Sequence, residues 1–172
     1  MNKGSYKNKV KAVILLAPSD STGYIYKHDK NLTSNLKKAK QYIKKNKKER
    51  FLDREAYSYI MPKSAESFIN FLDRDSELSK ALPFHKKRLE LYKKINVPIL
   101  VVIGDQQEYT VLTVKKALDL LKKENSNTEA HQLQNCNHDF ESKEKELTKI
   151  VKRFLIKHTK KSMHHRTLKG AV

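Results

Sequence analysis

Residues 97–105, Val97-Pro98-Ile99-Leu100-Val101-Val102-Ile103-Gly104-Asp105, decide the fold class of this chain. Apolar residues that follow one another without alternation are typical of a strand covered on both faces, as in a parallel sheet. Pro98 stands at the start of the run, where a missing N–H is tolerated, and Gly104 marks a tight turn at its end. Two acids, Asp105 and Glu108, come directly afterwards. We therefore predict a buried parallel strand that ends in an acidic loop.

Two further segments have strand character. Residues 11–17 (KAVILLA) are a continuous apolar run, and residues 129–134 are a weaker candidate. Between and after the last two strands, residues 113–125 and 142–156 carry apolar side chains at helical spacing, with lysine-rich outer faces. The alternation predicts an α/β fold with about three parallel strands, flanking helices and right-handed crossovers.

A long segment, residues 19–94, interrupts the alternation of strands and helices. Within it, residues 31–50 predict a very basic helix, and Ser64 to Ser67 predict a helix cap. The segment's place in the chain predicts a helical, lid-like insertion over the carboxyl edge of the sheet, where open α/β sheets bind ligands. Residues 1–156 are interpreted as a single domain, and residues 157–172, which lack apolar periodicity, as a disordered basic tail.

Composition limits the class of protein. The chain has 172 residues, enough for one domain, and a single cysteine, Cys136, which excludes an internal disulfide and a multi-cysteine metal site. One cysteine also favours a reducing compartment. No apolar run is long enough to cross a bilayer, and the short run at residues 12–17 is not followed by a signal-peptide cleavage site. We expect a cytoplasmic protein that does not bind membranes.

The net charge is +18, from 37 Lys and Arg against 19 Asp and Glu. Such a balance raises the possibility of nucleic-acid binding. The excess is mostly lysine spread along helices, and the sequence has no zinc-finger spacing, no RNP-like stretch and no helix-turn-helix signature. A solvated lysine-rich surface is the simpler interpretation. The alternative is a non-catalytic basic module that binds nucleic acid, without sequence preference, or another polyanion, with affinity that falls steeply with salt.

In their order and spacing, these segments resemble the C-terminal half of a serine α/β hydrolase of the esterase-like kind, similar to the siderophore-ester hydrolase families. Residues 10–19 resemble the strand that follows the nucleophile helix, and residues 59–72 resemble the lid insertion. Residues 96–109 resemble the acid strand, and residues 135–155 the histidine loop and final helix. The resemblance covers roughly residues 8–156, and the chain order of acid before base agrees with the family.

The resemblance implies hydrolysis of a carboxylic ester through a serine ester intermediate, without a metal or an organic cofactor. His138 would accept the nucleophile's proton and later donate it to the leaving group. The family's acid lies three residues after the glycine of the acid strand, and Gln107 occupies that position here. Glu108 or Asp105 could replace that acid only if the loop shifted.

The nucleophile elbow, Gly-x-Ser-x-Gly, is absent from the chain. No two of its glycines lie four residues apart: Gly4, Gly23, Gly104 and Gly170. In the resembling families the elbow precedes the strand matched by residues 11–17, so it would fall before Met1, together with the oxyanion-hole loop. We therefore expect a truncated hydrolase that is inactive alone, with an unpaired edge at residues 11–17 open to a companion chain or second subunit. A small-molecule ester would bind only at a completed site.

Each candidate site residue also has a structural interpretation. His138 can be a loop histidine with no serine to act upon, and Glu108 an exposed loop acid. Asp105 can be a loop carboxylate that bonds nearby backbone N–H groups, as aspartate does in turns. Cys136 lies two residues from His138, but a buried thiol is a better interpretation than a nucleophile.

Overall fold

The structure is a computed structural model that describes residues 9–53, 62–106 and 111–159. The strands are β1 (Val13–Leu16), β2 (Ile99–Gly104) and β3 (Thr128–Leu133). The helices are α1 (Ser21–His28), α2 (Leu32–Lys44), α3 (Ala65–Leu72), α4 (Glu77–Ala81), α5 (Val114–Glu124) and α6 (Glu144–Thr159). Short 3-10 turns lie at Phe84–Lys86 and Tyr92–Lys94. None of the helices in the described ranges is long and apolar enough to cross a membrane.

The chain divides into two compact units. The described part of the first comprises residues 9–18, 92–106 and 113–159, and that of the second comprises residues 19–53, 62–91 and 111–112. The first unit therefore contains the three strands with α5 and α6, and the second contains α1 to α4. The second unit covers most of the range predicted as an insertion, while a lid position over the sheet stays a prediction.

The first unit is built on a parallel three-stranded sheet with the order β1-β2-β3. Val13 lies opposite Ile99 in the first pair of strands, and Ile99 lies opposite Thr128 in the second. Consecutive strands that are both adjacent and parallel require a crossover connection between them. The prediction of three parallel strands with flanking helices is confirmed.

Burial differs sharply among the strands. Every residue of β2 is buried, as the continuous apolar run predicts, whereas β1 and β3 are mostly half-buried. Leu16, the last residue of β1, is 46% exposed. Residues 11–17 do contain a strand, but the prediction that this strand is covered on both faces is wrong. The physical reason is position, because β1 lies at the edge of the sheet and has a described strand on one side only.

Helices α5 and α6 complete the first unit. Thr113 caps α5, since its hydroxyl accepts a hydrogen bond from the Lys116 N–H. The predicted apolar stripe of α5 is buried: Val114, Ala117, Leu118 and Leu121. On α6, Phe154 is fully buried in a core shared with the strands, but Leu155, an apolar residue of the same predicted helix, is 39% exposed. The next residue of a helix points about 100° away, which turns Leu155 off the buried face.

The second unit has a core of its own. Buried apolar side chains come from α1, α2, α3 and the segment between α2 and α3: Ile25, Leu32, Ala39, Leu52, Ala65, Phe68 and Leu72. The predicted cap is present, because the Ser64 hydroxyl accepts a hydrogen bond from the Ser67 N–H. The basic helix predicted over residues 31–50 ends earlier, at Lys44, and Asn46 beyond it adopts a left-handed conformation with φ of 55°. Such a residue ends a helix.

Candidate functional site

The loops that follow β2 and β3 meet at the carboxyl edge of the sheet. The two strands are parallel, with Gly104 opposite Leu133, so their ends lie side by side. The Asp105 N–H donates to the Leu133 carbonyl over 2.9 Å. One residue further on, the Gln106 N–H donates to the Cys136 carbonyl over 3.0 Å. The backbone therefore joins the acidic loop to the loop that carries the candidate histidine.

The side chain of Asp105 strengthens this junction. One carboxylate oxygen accepts a hydrogen bond from the Asn135 N–H and the other from the Cys136 N–H, each over 3.0 Å. These bonds favour the ionised form, and they hold the pKa of Asp105 below its usual range, with the Cys136 bond the larger cause. The expected backbone bonds of a loop carboxylate are thus confirmed. A role for Asp105 as a catalytic acid stays a prediction.

Gly104 permits the close approach of the two loops. A Cβ atom at this position would lie 2.2 Å from the Cys136 carbonyl oxygen and 2.7 Å from that of Asn137. Both obstacles are backbone atoms, so no rotamer change could make room. The sequence predicted that Gly104 ends a strand, but its contact with the neighbouring loop was missed.

His138 lies half-buried in the loop that Asp105 anchors. The turn around it is bridged by Asn137, whose side-chain oxygen accepts from the Glu141 N–H over 3.1 Å and whose amide donates to the Glu141 carboxylate over 2.7 Å. Phe140, two residues after His138, is buried and takes a left-handed conformation with φ of 60°. The structure thus places His138 on an ordered turn beside the acidic loop. Glu108 and Gln107 lie outside the described residues.

Cys136 is a buried thiol. It is 1% exposed, and burial raises the pKa of its thiol above the ordinary value. Its sulfur donates weakly to the Asn137 carbonyl over 3.5 Å. Because the thiolate is the reactive form, a protonated and buried sulfur is poorly suited to nucleophilic attack. The interpretation of Cys136 as a structural thiol agrees with this environment.

One edge of the described sheet lies at β1. The Val13 N–H donates to the Pro98 carbonyl over 2.9 Å and the Ala17 N–H donates to the Val102 carbonyl over 2.8 Å, both toward β2. Within the described part of the chain, β1 has no strand on its other side. The unpaired edge predicted for residues 11–17 is present among these residues.

The second unit holds an acid–histidine pair that the sequence did not indicate. Asp20 is 3% exposed, and one of its oxygens accepts from both the backbone N–H and the Nδ1 atom of His85, each over 2.7 Å. The other oxygen accepts from the Gly23 N–H, which caps α1. Sixty-five positions separate the pair, so no local pattern could reveal it. Its bonds tie the start of α1 to the turn at Phe84–Lys86.

Neither a search for metal-binding clusters among the described residues nor a comparison with known proteins identifies a function for this site. Residues 9–53, 62–106 and 111–159 contain no group of three or more His, Cys, Asp or Glu side chains that could hold a metal ion. Comparison of the chain with models of known protein families gives no match, and comparison with curated proteins gives none either.

Proposed function

We propose that this chain is the C-terminal portion of an esterase-type α/β hydrolase and presents the acid and base loops of a serine triad. The observation that carries the proposal is the junction of Gly104 and Asp105 with the Asn135–Cys136 backbone. A triad requires its acid loop and its base loop to be held in a fixed relation, since the carboxylate must orient the imidazole. Because β2 and β3 are adjacent and parallel, the loops that follow them lie at the same edge of the sheet.

The order of the strands supports the same proposal. In α/β hydrolases the nucleophile comes first along the chain, followed by the acid and then the base. The described sheet has the order β1-β2-β3, with the acidic loop after β2 and His138 after β3. A nucleophile strand would then lie beside β1, at one of the two sheet edges that are unpaired among the described residues. Such a strand would also cover Leu16 and satisfy the outer backbone groups of β1.

The two candidate acids receive different roles in this proposal. Asp105 uses both carboxylate oxygens to hold the Asn135 and Cys136 N–H groups, so we assign it the positioning of the histidine loop. We assign the orientation of the imidazole to Glu108. His138 would serve as the general base for the serine and then as the general acid for the leaving alcohol.

The proposal predicts that the 172-residue chain alone does not react with serine-hydrolase reagents. The chain contains no Gly-x-Ser-x-Gly elbow, and the nucleophile and oxyanion hole contribute most of the catalysis in such enzymes. The measurement is intact-mass analysis of the purified chain after treatment with a fluorophosphonate, with an intact serine esterase as the positive control. Stoichiometric labelling of the chain would overturn the proposal that its nucleophile lies elsewhere.

A further inference from the structure

The second unit contains an open, strongly cationic groove of about 620 Å³. We call it the α2 groove. Its charged lining comes from Lys37, Lys40 and Lys44 on α2 and from Arg74, and Tyr26 of α1 contributes an aromatic ring. The volume falls within the range of small-molecule sites in proteins, roughly 300–1,000 Å³.

The three lysines form a row along one face of α2. Residues three and four positions apart on a helix are neighbours, so positions 37, 40 and 44 line up. The row rises about 10 Å along the helix axis, at about 1.5 Å per residue. Like charges at this spacing destabilise a helix. A bound anion would remove that repulsion.

Two of the three groove lysines have no acidic partner among the described residues. Lys38, on another face of α2, pairs with Asp53, and Lys48 pairs with Glu66. Within the groove Lys40 pairs with Asp73. Lys37 and Lys44 are exposed, and neither has an acidic partner within 4.0 Å in the described ranges. The two ends of the lysine row are therefore available to a ligand.

Arg74 is held in position at the same groove. Its guanidinium carbon lies 4.4 Å from the centre of the Tyr26 ring, a cation–π contact that limits the motion of the side chain. Burial raises the pKa of Tyr26 above its ordinary value, and a tyrosine hydroxyl is in any case protonated at neutral pH. A fixed guanidinium suits the two-oxygen geometry of a phosphate, and lysines add compact positive charge.

We propose that the α2 groove binds a small molecule that carries two or more phosphate groups. Several cations converge on one concavity, which favours a ligand with several negative charges in a short length. A nucleic-acid strand needs a longer basic track with exposed aromatic platforms, whereas the groove lysines span only about 10 Å along α2 and the Tyr26 ring already contacts Arg74. This inference does not depend on the hydrolase proposal.

The test is calorimetric titration of the full chain with inorganic tripolyphosphate at an ionic strength of about 0.15 M. The double variant Lys37→Gln/Lys44→Gln should bind about tenfold more weakly or worse, since it loses both available cations. The matched control is Lys122→Gln/Lys123→Gln, which removes the same charge from exposed positions on α5 and should bind like the wild type. Lysine and glutamine have similar helix propensities, so both variants should keep their helicity in circular dichroism.

Three outcomes would overturn the inference. Equal weakening of binding in both double variants would show that binding depends only on the overall charge of the chain. Failure of the wild-type chain to bind tripolyphosphate at this salt would show that the groove is not a polyphosphate site. A single-stranded oligothymidylate that binds more tightly than tripolyphosphate, and is weakened only by the groove variant, would assign the groove to nucleic acid instead.

Discussion

At the scale of single residues, Asp105 shows how one carboxylate can position two loops. Its oxygens each accept a backbone N–H from the neighbouring loop, and Gly104 provides the space for that loop to approach. The sequence indicated an acid in a turn after a strand, which is a local property. It could not identify the donors, because Asn135 and Cys136 lie about thirty positions away.

The lowered pKa of Asp105 makes a pH-dependent prediction. A carboxyl group whose pKa is lower in the folded chain stabilises the fold above its unfolded pKa, and this contribution is lost as the pH falls through the folded pKa. Asp105→Asn should therefore lower the free energy of unfolding most at neutral pH. The difference from the wild type should shrink below about pH 4, the ordinary range for aspartate.

Urea unfolding at several pH values measures this effect. Asp139→Asn is the matched control, because Asp139 is exposed on the same loop as His138 and should change stability little at any pH. A loss of stability in Asp105→Asn that is the same at neutral and acidic pH would contradict the charge-dependent role.

At the scale of elements, the predicted strand segments matched the three strands to within about two residues at their ends. Their burial was harder to predict. Residues 11–17 and 97–103 look alike in composition, yet β2 is completely buried and β1 is not. Burial depends on which strand becomes the neighbour, and that is a property of the assembled sheet. The same reasoning applies to Leu155, whose exposure depends on where the core contacts α6.

The difference in burial between β1 and β2 can be tested by the loss of stability when one leucine in each strand is replaced by alanine. Leu100 is fully buried in β2, whereas Leu16 is nearly half exposed in β1. Leu100→Ala should destabilise the chain by about 2–5 kcal/mol, the usual cost of removing buried methyl groups and leaving a cavity. Leu16→Ala should cost less than about 1 kcal/mol. Denaturant unfolding of both variants tests the sheet order, and equal losses would contradict an exposed edge at β1.

At the scale of the whole molecule, the chain combines a modest parallel sheet with a second unit rich in lysine. The net charge of +18 was evident from composition, but composition could not show where charge concentrates. The α2 groove requires α1, α2 and Arg74 to come together, and the Asp20–His85 pair requires the ends of the second unit to meet. Both are consequences of tertiary structure, while the loops that carry Asp105 and His138 follow strands that the sequence could identify.

We propose that His138 serves a serine that lies outside these 172 residues. The most direct test is fluorophosphonate labelling of the native product, captured from its source cells through a tag on the chain, with wild-type and His138→Ala chains compared. His131→Ala is the control, because His131 is a half-buried histidine on β3 that pairs with Glu129. We predict label on a serine outside residues 1–172, retained in His131→Ala and lost in His138→Ala. Captured material with no more label than the His138→Ala sample, or label on a serine within the chain, would contradict the claim.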